Sequence, residues 1–208
     1  MRISQQAVID REKQTTEYLL HPWVSSHPFP AVLPRLSAED AKFLTGVARF
    51  RGGIMQTQAA PIEKSGHVWA HPLLDHFRLY FRMKLYDDKT LNVDEMLNEY
   101  YAKFYGPAGE HVREFIEALE NRWCDTGIAT AAGAHASQYA SDPRVWWKFL
   151  GTPEFIERLE GLLENAKNAA PAGTVYARRV DLIDKGLLKL IQSNRRNYLD
   201  SARNAGAR

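Results

Sequence analysis

The chain predicts a mixed α and β fold in which helix dominates. Three observations carry that expectation. Apolar residues recur at helical spacing over most of the sequence from Pro72 onward. Proline and glycine punctuate those stripes where helices start and stop. Only one segment, Gly52-Gly53-Ile54-Met55-Gln56-Thr57-Gln58, reads as a strand with glycine at its entry.

Along the first part of the chain, residues 3–20 are compatible with a helix ending near Leu20. His21 to Pro34 follows, where Pro22, Pro28, Pro30 and Pro34 oppose helix and central strand alike and leave an extended loop carrying Trp23 and Phe29. Ser37 resembles an N-cap with Asp40 in the capping-box position, so a helix is expected from about Ala38 to Ala48. Helix followed directly by the strand at 52–58 is the αβ half of an α/β repeat.

The later helices are more strongly marked. Pro72 suits a first turn and leads into Phe77, Leu79, Tyr80, Met83 and Leu85. Asn92 can cap the next stripe, with Glu95 three residues on and Met96, Leu97, Tyr100, Tyr101 and Phe104 apolar. Gly106-Pro107 ends that helix and begins one carrying Val112, Phe115, Ile116, Leu119 and Trp123. The alanine- and glycine-rich stretch 125–141 is the linker candidate. Thr152-Pro153 opens a helix striped by Phe155, Ile156, Leu159 and Leu163, and Pro171 to Gly173 turn the chain into a last helix. The pair should form an antiparallel hairpin. The expected division is a partial α/β region at residues 1–90 and a helical region at 91–208.

Composition narrows the function classes. Hydrophobic residues make up 45% and charged residues 25% of the 208, which suits a folded core and not a disordered chain. A formal net charge of +2, with both signs interleaved, gives no concentrated field for nucleic acid. The arginines near the end (Arg195, Arg196, Arg203, Arg208) read as a solvated tail. No apolar run approaches the roughly 20 residues of a membrane helix, and no leader-like stretch opens the sequence, so cytoplasmic placement is expected of the chain as written. Cys124, the single cysteine, reads as a small buried hydrophobe beside Trp123.

The run Asp94-Glu95-Met96-Leu97-Asn98-Glu99-Tyr100-Tyr101, followed by Phe104-Tyr105-Gly106-Pro107-Ala108, is more specific than any helix stripe. It resembles an uncharacterised bacterial family, domain of unknown function 4838, which stands among the barrel glycoside hydrolases and is similar in layout to the alpha-glucuronidases. His21-Pro22-Trp23, Pro34-Arg35-Leu36, Gly52-Gly53-Ile54, Trp69 and Tyr176-Ala177-Arg178-Arg179-Val180 fit it in order. The resemblance implies the C-terminal part of a (β/α)8 glycoside-hydrolase-like barrel followed by a helical bundle or hairpin, acting on an oligo- or polysaccharide. A closed barrel takes about 200 residues or more, so the strands expected here form only its edge. That leaves the chain catalytically incomplete alone, with association to an upstream segment or self-association as the way to complete it.

Candidate site residues follow from that layout, because barrel enzymes work at the C-terminal ends of their strands. Glu63 and Asp75 flank the loop after the strand and are the catalytic candidates, glycoside hydrolysis needing two carboxyl groups across the sugar. Glu63 beside Lys64 has the simpler reading of a solvated charge. Gln56, Gln58, His67, Trp69 and His71 are the substrate-binding candidates: amides and imidazoles bind hydroxyls, and an indole stacks on a sugar face. The competing reading makes Trp69 a barrel plug and the histidines, His76 among them, surface or helix-start groups. His67 and His71 do not predict a metal site, since Pro72 places His71 at a helix entrance and Val68 stands where the zinc-helix pattern has glutamate. No cofactor is expected. Trp146-Trp147 reads as a helix anchor in preference to a sugar platform. A noncatalytic helical carbohydrate-binding or protein-interaction module is the alternative function.

Overall fold

The first free backbone donors of an early helix decide how it docks on a helix more than 80 residues later. A computed structural model describes residues 18–20, 29–31, 33–46, 50–53, 72–133 and 142–206. Strand β1 (Tyr18–Leu20) lies parallel to β2 (Phe50–Gly53), with Tyr18 opposite Phe50 and Leu20 opposite Gly53. Helix α1 (Pro34–Thr45) lies between them in the chain, a β-α-β connection as parallel strands require. Among the described residues these two short strands are the only sheet, and they close no barrel.

Two expectations are corrected here. Tyr18–Leu20 is a strand, not the end of a helix, because it finds a parallel partner more than 30 residues on. The second strand starts at Phe50, two residues before the expected Gly52, and is described to Gly53; Gln56 and Gln58 lie outside the described residues.

Helix α1 also starts four residues earlier than the Ser37 signal suggests. Pro34 takes the first turn, where its missing N–H is no loss, and Ser37 is buried inside the helix. Leu33 at the N-cap offers no side-chain acceptor. The acceptor comes instead from Glu120, one oxygen taking the Leu36 amide at 2.7 Å and the other the Arg35 amide at 3.2 Å. Ser37 N–H completes the first turn on the Leu33 carbonyl at 2.9 Å. A tertiary contact thus replaces the local cap that the sequence appeared to offer.

The remaining helices follow the punctuation closely. They are α2 (Pro72–Asp87), α3 (Val93–Tyr105), α4 (Gly109–Cys124), the short α5 (Thr126–Ala131) and α6 (Pro143–Val145). After them come α7 (Pro153–Ala169), α8 (Val175–Ile183) and α9 (Lys189–Gly206). Asn92 caps α3 by accepting from the amides of Asp94 and Glu95. Asp125, Thr152 and Thr174 do the same for α5, α7 and α8. The linker candidate 125–141 therefore begins as a capped helix; residues 134–141 lie outside the described residues.

Two π-helical turns were not foreseen: Trp146–Leu150 continues α6, and Asp184–Leu188 joins α8 to α9. Each wide turn inserts a residue and rotates the following face. In the first, Trp146, Trp147 and Leu150 are all buried, and Arg122 donates to the carbonyls of Phe149 and Leu150. The tryptophan pair is thus core. Trp123 donates its ring N–H to the Pro30 carbonyl at 2.8 Å, pinning the Phe29 segment to the same core. Cys124, expected to be buried, is exposed on the last turn of α4.

One apolar core runs from Phe29 through α1 to α4 and α7 to Ile191, continuous across residue 90. Gly106 and Gly109 leave no room for a Cβ. Gly106 has φ 56°, and a Cβ there would sit 2.7 Å from the Tyr176 ring. A Cβ at Gly109 would lie 2.6 Å from the Tyr101 carbonyl oxygen. No described helix is long and apolar enough to cross a membrane.

These contacts rank the caps. Glu120→Ala strands two amides of a buried helix end, so denaturant unfolding should show a loss of about 3 kcal/mol. Asn92→Ala, at an exposed cap, should cost only about 1 kcal/mol. Gly106→Ala combines positive φ with the Tyr176 clash and should cost about 1–3 kcal/mol in the same measurement.

Candidate functional site

Helical spacing places three sets of side chains where α2, α3 and α8 meet. His76, Tyr80 and Lys84 succeed one another at i, i+4 along α2. Tyr100 and Phe104 have the same spacing on α3, and Tyr176 and Arg179 lie one turn apart on α8. His76, Tyr80, Phe104, Tyr176 and Arg179 are all half-buried, so the group forms a face and not an interior.

The planar groups stack into a ladder. Lys84 Nζ lies 5.2 Å from the Tyr80 ring centre, and the Tyr80 ring stacks with His76 at 6.5 Å. His76 lies 4.7 Å from Phe104, and the Arg179 guanidinium sits 3.9 Å above the Phe104 ring. Tyr100 stacks against Phe104 at 5.3 Å. A cation thus closes each end of an aromatic run, the favourable arrangement for a ring quadrupole. The ring faces are largely used by one another, which leaves edges and polar atoms to meet a ligand.

The electrostatics of the two ends differ. Lys84 donates to Glu99 at 2.9 Å, and Lys103 donates to the other oxygen of Glu99 at 2.6 Å. Those two lysines hold the Glu99 carboxyl down at about 2. Arg179 donates to the Phe104 carbonyl and joins no carboxylate among the described residues. Burial, assisted by the Arg179 charge, holds the His76 imidazole below its ordinary 6.5. His76 Nδ1 shares a hydrogen bond with Tyr100 Oη at 3.0 Å. Tyr100 itself is buried, and desolvation pushes its phenol far above the usual tyrosine range, so it stays a neutral hydroxyl.

This arrangement offers a neutral imidazole held in orientation by a phenol and, on the same Phe104 ring, a cation with donors to spare. It can bind an oxygen-rich or anionic group. Proton exchange with a leaving group needs an acid whose reach the described residues do not supply. Every buried carboxylate among them is committed elsewhere. Glu120 caps α1, burial raising its pKa while the two amides oppose that rise. Asp40, which is half-buried, faces the buried Arg82 at 3.4 Å. Asp184 lies between Lys167 at 3.0 Å and Lys189 at 3.4 Å.

Of the sequence-based candidates, Gln56, Gln58, Glu63, His67, Trp69 and His71 lie outside the described residues. Asp75 occupies the first turn of α2, next to His76, and its side chain is likewise outside them. His76 is the one member of that loop-and-helix group that the structure places in a site. Tyr80, Tyr100, Phe104 and Arg179 were missed as site residues. Their signal was present as i, i+4 aromatic pairs on two helices, but such stripes mark core more often than surface.

No family model, no curated protein and no solved structure matches the chain.

The lowered His76 pKa fixes a sign. The folded state binds this proton less readily than the unfolded chain, so the stability it contributes is full above about pH 6.5. That contribution is lost as pH falls through the lowered folded value. NMR titration should give a His76 midpoint below 6.5, and His76→Gln should flatten the stability loss in that window. A midpoint at or above 6.5 would contradict the burial argument.

Proposed function

We propose that this chain is the C-terminal, ligand-contacting part of a glycoside-hydrolase-like, carbohydrate-processing protein, and that it binds a sugar chain without cleaving it alone. The observation that carries this reading is the parallel β1–α1–β2 unit. It is the repeating element of a (β/α)8 barrel, and the chain leaving the C-terminal end of β2 leads into α2 where His76 begins the ladder. Barrel enzymes present substrate groups at that end of each strand. The resemblance of Phe104-Tyr105-Gly106-Pro107-Ala108 to the family of unknown function gives the same direction.

On this reading an upstream segment, or a second copy of the chain, completes the barrel edge. Glu63 and Asp75 stay candidates for the acid and its partner, and Gln56, Gln58, His67, Trp69 and His71 for subsite contacts. His76 and Arg179 extend that list on the helical side.

A second reading, a noncatalytic helical carbohydrate-binding or protein-interaction module, is favoured by one fact. The buried carboxylates of the described residues are all engaged in structural contacts. Rates on aryl glycosides separate both readings from a complete hydrolase. The purified chain should bind oligosaccharide and release no aglycone; release that vanishes in Glu63→Gln or Asp75→Asn would make it a complete hydrolase. Absence of any oligosaccharide binding would remove the carbohydrate reading altogether.

A further inference from the structure

Arg179 is the described cation whose surroundings call for a partner. Its guanidinium lies flat on Phe104 at 3.9 Å and is half-buried, so part of its hydration shell is already gone. One N–H group is used on the Phe104 carbonyl. A guanidinium carries five donors in a fixed fork, and the remaining ones have no carboxylate among the described residues. The acids on neighbouring elements are occupied: Glu99 by Lys84 and Lys103, and Asp184 by Lys167 and Lys189. Asp181, on the same helix, lies 4.0 Å from Lys185.

The positioning is firm. Tyr176, one turn before Arg179, packs against Gly106, where a Cβ would meet its ring at 2.7 Å and the positive φ would be strained for a side chain. That contact fixes α8 against the end of α3 and sets the guanidinium over the Phe104 ring. A stacked, pre-oriented guanidinium loses little freedom on engaging a forked acceptor. His76 contacts the same ring at 4.7 Å, and burial together with the Arg179 charge lowers its pKa, so it brings no competing positive charge near pH 7.

We infer that Arg179, on the Phe104 ring that His76 also contacts, is a binding point for an oxyanion carried by the ligand. Two sources share that chemistry, a planar carboxylate such as a hexuronate bears and a tetrahedral sulfate or phosphate. The inference rests on the carbohydrate reading only for the scaffold that carries the anion. The charge recognition itself is a property of Arg179 and its ring.

Titration of the full chain with three probes tests it: a hexuronate, the matching neutral hexose, and inorganic sulfate, followed through the Arg179 side-chain Nε–H resonance. The hexuronate or the sulfate should shift that resonance and the neutral hexose should not. Which of the two anions binds more tightly identifies the source. Arg179→Gln keeps a donor for the Phe104 carbonyl and should weaken anion binding by about tenfold or more. Arg179→Lys, which keeps charge without the fork, should retain part of the affinity. Circular dichroism and a thermal melt identify any variant that fails to fold, and His76→Gln, which leaves Arg179 in place, then serves as the second variant and should weaken binding less. Anion binding unchanged in Arg179→Gln, or no shift with either anion, overturns the inference. Neutral-sugar binding with no charge preference would sink it while sparing the carbohydrate reading. Sulfate binding without any sugar binding would sustain it and remove that reading.

Discussion

The buried Glu120 carboxylate ties helix α1 to helix α4. Glu120 lies in the middle of the core on α4, yet its oxygens meet the first free amides of α1, more than 80 residues earlier. Removing a carboxylate from water is costly, and burial raises its pKa accordingly. Two amide donors and the positive end of a helix offset that cost, because they present partial charge without side-chain freedom to lose. The exposed pair of Arg35 with Asp94 at 2.7 Å reinforces the docking only slightly, since both ends are solvated. With α1 fixed, α2 has a surface to pack on, and the face bearing His76 acquires its place. The anchor therefore acts on the site through two helix contacts.

The ladder on that face is an economical use of short spacings. Pairs at i, i+4 along α2 and α3 bring planar side chains into register, and α8 closes the run with Arg179. The Tyr105-Gly106-Pro107-Ala108-Gly109 run makes this possible. Its glycines permit the contacts with Tyr176 and with the Tyr101 carbonyl, and Pro107 starts the turn into α4. The most specific sequence signal in the chain is thus, in the described structure, a packing device that orients a polar face. Motif specificity and chemical role need not lie on the same atoms.

Helix positions from Pro72 onward were legible because proline, Asn92, Thr152 and glycine mark ends through local backbone chemistry. The start of α1 was not. Ser37 and Asp40 offered a local capping box, and the fold used Pro34 and a distant Glu120 instead, which no local pattern records. The π turns were invisible for a related reason: an inserted residue depends on how Trp147 and Leu187 find the core, not on propensity. The second strand begins at Phe50, two residues before its expected entry, because strand ends follow pairing, and the partner at 18–20 read as helix. Of the site, His76 was noticed through its company of histidines. Arg179 was seen only as part of a resemblance, since which carboxylates of the described residues reach it is a three-dimensional fact.

Amide hydrogen exchange at Arg35 and Leu36 tests the anchoring role of Glu120 most directly. The account predicts slow exchange at both amides, comparable with the interior of α4, and its loss in Glu120→Ala together with protection along α1, while α7 and α8 stay protected. Exchange at Arg35 and Leu36 as fast as in an unprotected peptide in the unaltered chain would contradict it.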